Sequence, residues 1–116
     1  MIKREQYLKR IRPFYNKELV KVLTGMRRSG KSVMLELIKE ELIDSGIKKE
    51  QLLHYNFEQL SNAAFCTALS LHKELTEKIA SIQGKVYLFF DEIQEVRDWE
   101  KAINSFRIDF DCDIYI

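Results

Sequence analysis

The sequence predicts an α/β domain: a mostly parallel sheet flanked by helices. Three observations predict it. Helix-like and strand-like segments alternate along the 116 residues, the order that builds strand–helix–strand units. One segment, V-Y-L-F-F at 86–90, is apolar at every position, as a central parallel strand covered on both faces must be. A glycine-bracketed loop at 25–32 stands between a strand-like run and an amphipathic helix.

Each element follows from local pattern. Residues 3–12 space Tyr7, Leu8 and Ile11 as a short amphipathic helix, and Pro13 ends it. L-V-K-V-L-T at 19–24 is a strand-type run closed by Gly25. A helix is expected from near Gly30 to about Ser45, with a broad apolar stripe of Met34, Leu35, Ile38, Leu42 and Ile43 and a Gly46 C-cap. Residues 51–57 read as a second strand of mixed polarity. Residues 63–82 read as a helix, with Leu69, His72, Leu75, Ile79 and Ile82 at helical spacing and Gly84 as its breaker. The apolar strand at 85–90 follows. Asp98 is the expected cap of a last helix through Phe110, with Ala102, Ile103 and Phe106 inward. Residues 112–116 read as a fourth strand.

Composition bounds the reading. A length of 116 residues suits one domain, and 46% apolar against 32% charged residues is globular. No run of about 18 apolar residues suggests a membrane span, and the charged first twelve residues lack a signal peptide's apolar stretch. Cys66 and Cys112 stand at no ligand or redox-motif spacing and read as small hydrophobes in a reducing compartment. His54 and His72 form no metal constellation. A cytoplasmic protein is expected. Net charge is only +1, but it is split: residues 1–50 carry 13 Lys/Arg against 7 Asp/Glu, and residues 51–116 carry 6 against 11. Such a split fits a basic element that meets an anion and an acidic one that holds a cation, although a solvated surface gives it too.

Residues 25–32, G-M-R-R-S-G-K-S, satisfy the phosphate-loop (Walker A) pattern G-x-x-x-x-G-K-[ST]. Gly25 and Gly30 let backbone N–H groups turn inward as a nest for phosphate oxygens. The helix N-terminus beyond adds free donors and about half a positive charge. The phosphate-binding set is therefore Gly25, Met26, Arg27, Arg28, Ser29, Gly30, Lys31, Ser32 and Val33. Lys31 reaches the β- and γ-phosphates as a point charge, and Ser32 gives its hydroxyl to Mg²⁺. Arg27 and Arg28 add field at the phosphates, pair with acids elsewhere, or are solvated.

V-Y-L-F-F-D-E at 86–92 is the matching Walker B pattern. A parallel strand presents its C-terminal end at the ligand edge of the sheet. Asp91 is expected to hold the magnesium, mostly through water, and Glu92 to act as general base on the attacking water. The 60-residue spacing from Lys31 to Asp91 leaves room for a helix, a strand and a second helix. It implies an extra strand between the two motif strands, the additional-strand (ASCE) arrangement of P-loop ATPases. Asn56, in Y-N-F-E, is a candidate partner that holds Glu92 inactive, with Glu58 a weaker one. The other reading of Asn56 is a strand-end turn residue.

These segments, with L-V-K-V-L-T leading into the loop, D-E-I-Q-E-V at 91–96 and D-W-E-K at 98–101, resemble the prokaryotic AAA-type ATPases of the AAA_14 group, which usually carry a DUF4143 domain further on. The resemblance implies ATP with Mg²⁺ as ligands. It also implies that residues 1–116 are the N-terminal part of the ATP-binding domain of a longer protein, without the sensor that follows the fourth strand, the lid and the C-terminal domain. An arginine finger is expected from another subunit, as in a homo-oligomer. The leading function is ATP hydrolysis that drives conformational change in the whole protein, the isolated chain being weak or inactive. The alternatives are a nucleotide-dependent switch with little turnover and a DNA-associated, nuclease-linked ATPase. No N-K-x-D guanine motif occurs. A DNA or protein partner stays open.

Overall fold

A computed structural model describes residues 20–21 and 28–116, with side chains from Gly30 onward. The helix expected at 3–12, most of the first strand, and Gly25, Met26 and Arg27 of the loop lie outside the described residues.

Four strands form one parallel sheet: β1 (Val20–Lys21), β2 (Leu52–Asn56), β3 (Val86–Asp91) and β4 (Cys112–Tyr115). Their order is β1-β4-β3-β2. The register pairs Val20 with Ile114, Leu88 with Ile114, and Asn56 with Asp91. A strand does stand between the two motif strands, but it is β4. The strand that the 60-residue gap contains, β2, lies on the far side of β3. The spacing counted elements and could not order them.

All six residues of β3 are buried, and strand alternation divides them. Val86, Leu88 and Phe90 enter one core with Leu71, Leu75, Ala102, Ile103 and Phe106. Tyr87 and Phe89 enter a second with Met34, Leu35, Ile38, Leu42 and Tyr115. Phe89 stacks on Tyr115 at a ring separation of 4.8 Å. Helix α1 (Arg28–Asp44) covers the second face, while α2 (Ala68–Ile79) and α3 (Trp99–Asp109) cover the first. This two-sided cover is why a continuously apolar strand is stable at the centre.

Helix α1 starts at Arg28, two residues before the expected Gly30, so Gly30 lies within the helix and not in the turn ahead of it. Arginine and serine both tolerate helical backbone. At the other end Gly46 has φ +108°, its N–H reaches Ile43 O at 3.0 Å, and Ile47 N–H reaches Leu42 O at 3.1 Å. That glycine cap turns Ile47 back onto the α1 core. Ile43 is exposed, at the margin of the stripe.

Helix α2 begins at Ala68, not residue 63, and ends at Ile79, short of Ile82. Thr67 sets the start: its Oγ1 accepts the Ser70 N–H at 3.2 Å. Residues Leu60–Phe65 form a 3-10 helix instead. The inward residues are Leu71 and Leu75, whereas Leu69 is 83% exposed. Helix α3 buries Ala102, Ile103 and Phe106 as expected, but Asp98 does not cap it through its side chain. Its backbone is left-handed, at φ 60° and ψ 35°, unlike the extended conformation from which a cap side chain reaches back.

Candidate functional site

In a parallel sheet every strand delivers its C-terminal residues to one edge, and β1 delivers the chain to α1 at that edge. Tyr87 and Phe89 face α1, so Asp91, two residues further, faces it too. Ser32, in the first turns of α1, closes the distance: its Oγ donates a hydrogen bond to Asp91 Oδ2. The two motifs, 59 residues apart in sequence, therefore meet side chain to side chain.

Asp91 is only 2% exposed. Its other oxygen, Oδ1, is buried and has no hydrogen-bond partner among the described residues. An unsatisfied buried carboxylate oxygen is costly, a cost that a ligand's donor or a cation would relieve. A magnesium ion fits this donor set. Mg²⁺ is ordinarily taken by one or two protein oxygens with phosphates and water, not by a cage of side chains. The described residues contain no cluster of three or more His, Cys, Asp or Glu able to hold a metal.

Lys31 is half-buried beside Ser32 in the first turns of α1, and Val33 follows it. Arg28 and Ser29 are described as helix backbone. Glu92 is buried, with left-handed backbone at φ 59° and ψ 46°, a conformation that costs a non-glycine residue about 1 kcal/mol or more. Its Oε2 accepts a hydrogen bond from Gln94 Nε2. The segment beyond is anchored to the start of α2: Arg97 N–H reaches Cys66 O, and Ala68 N–H reaches Arg97 O, both at 2.9 Å.

Asn56 ends β2 directly opposite Asp91. Its Oδ1 accepts the Glu58 N–H at 3.0 Å, and its carbonyl accepts from Asn62 Nδ2 at 2.9 Å. The first bond is that of a strand-end turn residue.

The sequence reading missed a second group of polar residues. A cavity of about 360 Å³ adjoins Asp91, lined by Ser32, Glu36, Lys39, His54 and Asn56. Glu36 and Lys39 pair on α1. His54 Nδ1 lies 2.9 Å from Lys39 Nζ and 3.3 Å from Glu36 Oε2. Burial pushes the His54 pKa down and the Lys39 charge adds to this, against the opposing charges of Glu36 and Asp91. Glu36 is also held below its ordinary value: burial pushes it up, but Lys39 and His54 outweigh that. The signal was available. Ser32, Glu36 and Lys39 recur every three or four residues on one helix face, and His54 shares the strand parity of Asn56. What was lacking was the pairing of β2 beside β3. A larger hollow of about 520 Å³, lined by Asn104, Arg107 and Ile108, lies by the start of β4, at the opposite edge of the sheet.

A helix with Gly-Lys-Ser in its first turn against a parallel strand that ends at Asp91 defines a P-loop-like α/β domain. The chain belongs to the AAA_14 family, described as an AAA domain, whose model matches residues 17–116. It is 40% identical over all 116 of its residues to an uncharacterised protein of Haemophilus influenzae, covering 29% of that protein. It is 34% identical over 85 residues to an uncharacterised protein of Methanocaldococcus jannaschii, covering 72% of this chain and 18% of that one. The chain thus spans less than a third of either relative. No solved structure matches it. No helix among the described residues is long and apolar enough to cross a membrane.

Proposed function

We propose that this domain binds ATP with Mg²⁺ and that the intact protein hydrolyses it to drive a conformational change. One observation carries the reading: the Ser32 hydroxyl meets a buried Asp91 whose second oxygen has no partner among the described residues. The sheet order β1-β4-β3-β2 supports the additional-strand subtype, because a strand separates the loop strand from the acidic one. When bound, the cation supplies charge neutralisation at the β- and γ-phosphates. Ser32 and Asp91 hold its site. Lys31 orients the phosphates as a fixed positive charge. Glu92, buried at the end of β3, takes a proton from the attacking water. Phosphoryl transfer depends on positioning and charge more than on covalent chemistry, and these residues supply part of both. ATP as substrate fits a cytoplasmic protein.

A specific observation favours a second reading, a nucleotide-dependent switch with little turnover. Gln94 engages the Glu92 carboxylate on a strained backbone, which holds the base in one pose. Steady-state ATP turnover by the intact protein, with Lys31→Ala and Glu92→Gln variants and parallel nucleotide-binding titrations, separates the two. Hydrolysis requires turnover that Glu92→Gln abolishes while binding persists. Equal, negligible rates in parent and variant with tight binding establish the switch. Binding untouched by Lys31→Ala removes both.

A further inference from the structure

Glu92 is held through its backbone and through its side chain. Strand β3 ends at Asp91, and the next residue turns left-handed, at φ 59° and ψ 46°. It opens one 3-10 turn, Ile93–Glu95. Glu95 N–H reaches Glu92 O at 3.1 Å, and Val96 N–H reaches Ile93 O at 2.9 Å. Ile93 and Val96 are buried in the core shared with α2 and α3. On either side of the turn the chain is tied to its neighbours: Phe57 N–H reaches Asp91 O at 3.0 Å, and Arg97 N–H reaches Cys66 O at 2.9 Å. With the backbone pinned at both ends, the freedom left to Glu92 lies in its side-chain torsions.

Gln94 restricts those torsions. It is an exposed residue of the same turn, so packing does not decide where its side chain goes. Its Nε2 nevertheless turns back and donates to Oε2 of Glu92, a residue only 6% exposed. A glutamine amide is a neutral donor, so it fixes the carboxylate without adding a charge that would compete for the phosphates. The backbone says what the pose is for. A left-handed conformation is costly for a residue that is not glycine, and such strain is kept where a side chain must be aimed. A carboxylate parked out of use needs no strained turn behind it.

We propose that Gln94 is a positioning residue for Glu92: its amide holds the carboxylate in the pose from which Glu92 takes the water proton, and so sets the rate of hydrolysis and not the affinity for nucleotide. In that step the water oxygen bonds to the γ-phosphorus, the bond to the β–γ bridging oxygen breaks, and ADP leaves with its electron pair while the proton passes to Glu92. The hold that a slow switch would use as a restraint is then what readies the base. The inference rests on the proposed general-base role of Glu92.

The test is ATP turnover by the intact protein with Gln94→Met, which keeps the length of the side chain and removes its donors. Ordering a glutamate side chain is worth roughly a factor of ten. Gln94→Met should therefore lower kcat about 10-fold and leave KM and nucleotide affinity within about 2-fold of the parent. In a Glu92→Gln background the same change should leave the residual single-turnover rate unaltered, because no base remains to be positioned. An unchanged or raised kcat overturns the proposal. So does an equal loss in both backgrounds, or a loss confined to KM. A parent no faster than Glu92→Gln overturns instead the general-base reading, and that result appears before Gln94 is touched. A second measurement needs no variant. In crystals of the intact protein with Mg²⁺ and a non-hydrolysable ATP analogue, Gln94 Nε2 should stay within about 3.2 Å of a Glu92 carboxylate oxygen. A Glu92 carboxylate that has swung away from Gln94 in that complex sinks the proposal.

Discussion

Removing the Ser32 hydroxyl should cost far more than an exposed serine is worth, because of what it leaves behind. Ser32 Oγ is the hydrogen-bond partner of the Asp91 carboxylate among the described residues, and the second carboxylate oxygen already has none there. Hydrogen bonds to charged groups contribute about 1.5–3 kcal/mol, and stranding a buried partner costs about as much. Ser32→Ala should therefore destabilise the domain by about 2 kcal/mol, a large part of the roughly 5–15 kcal/mol typical of a domain. With Asp91→Ala already in place no carboxylate is left to strand, and the same serine change should cost under about 0.5 kcal/mol. The double-mutant coupling is then about 1.5 kcal/mol. Native-state hydrogen exchange of the β2 and β3 amides, in metal-free buffer, reads these opening free energies within the intact protein. A coupling below about 0.5 kcal/mol, the usual additivity error, would refute the claim that the start of α1 sits on the end of β3.

Three further outcomes follow from the packing, the backbone and the charges of the domain. Leu71 is 0% exposed and Leu69 83%, so Leu71→Ala should lower stability by about 2–5 kcal/mol and Leu69→Ala by under about 0.5 kcal/mol; equal costs in thermal or urea unfolding contradict the packing of α2. Gly46→Ala has open space around the new methyl but a φ of +108°, so it should cost roughly 1–2 kcal/mol from backbone strain alone, and an unchanged midpoint would count against this helix end. The folded-state pKa of His54 lies below 6.5, so the unfolded chain binds more protons in the window beneath that value. Its contribution to stability is present above about pH 6.5 and lost as pH falls through the folded pKa. His54→Gln should flatten this part of the stability profile, and parallel profiles for parent and variant would remove the effect.

The sequence showed most of what local pattern controls. The apolar β3, the inward face of α3 and the Gly46 cap are visible because each is written within a few neighbouring residues. The pairing of Ser32 with Asp91 was legible at motif level, since the two patterns are local even though the contact is not. Sheet order was not legible, because nothing in a spacing of 60 residues says on which side of β3 the intervening strand pairs. The inward face of α2 was misread at Leu69. Several apolar stripes fit that segment, and the Thr67 cap, not periodicity, sets where the helix begins. The Glu36–Lys39–His54 group was legible only in part: the helical spacing of Glu36 and Lys39 is local, but His54 sits on a strand brought there by tertiary pairing. The left-handed backbones of Glu92 and Asp98 have no sequence signature, since neither residue is glycine.

The central claim is that the start of α1 and the end of β3 share one cation and one nucleotide. Anomalous scattering from Mn²⁺ in crystals of the protein with a non-hydrolysable ATP analogue tests it most directly. The account predicts one peak between the Ser32 hydroxyl and the Asp91 carboxylate, touching the analogue's phosphates, with Lys31 on the same phosphates. A nucleotide bound elsewhere, or a metal peak remote from both side chains, contradicts it.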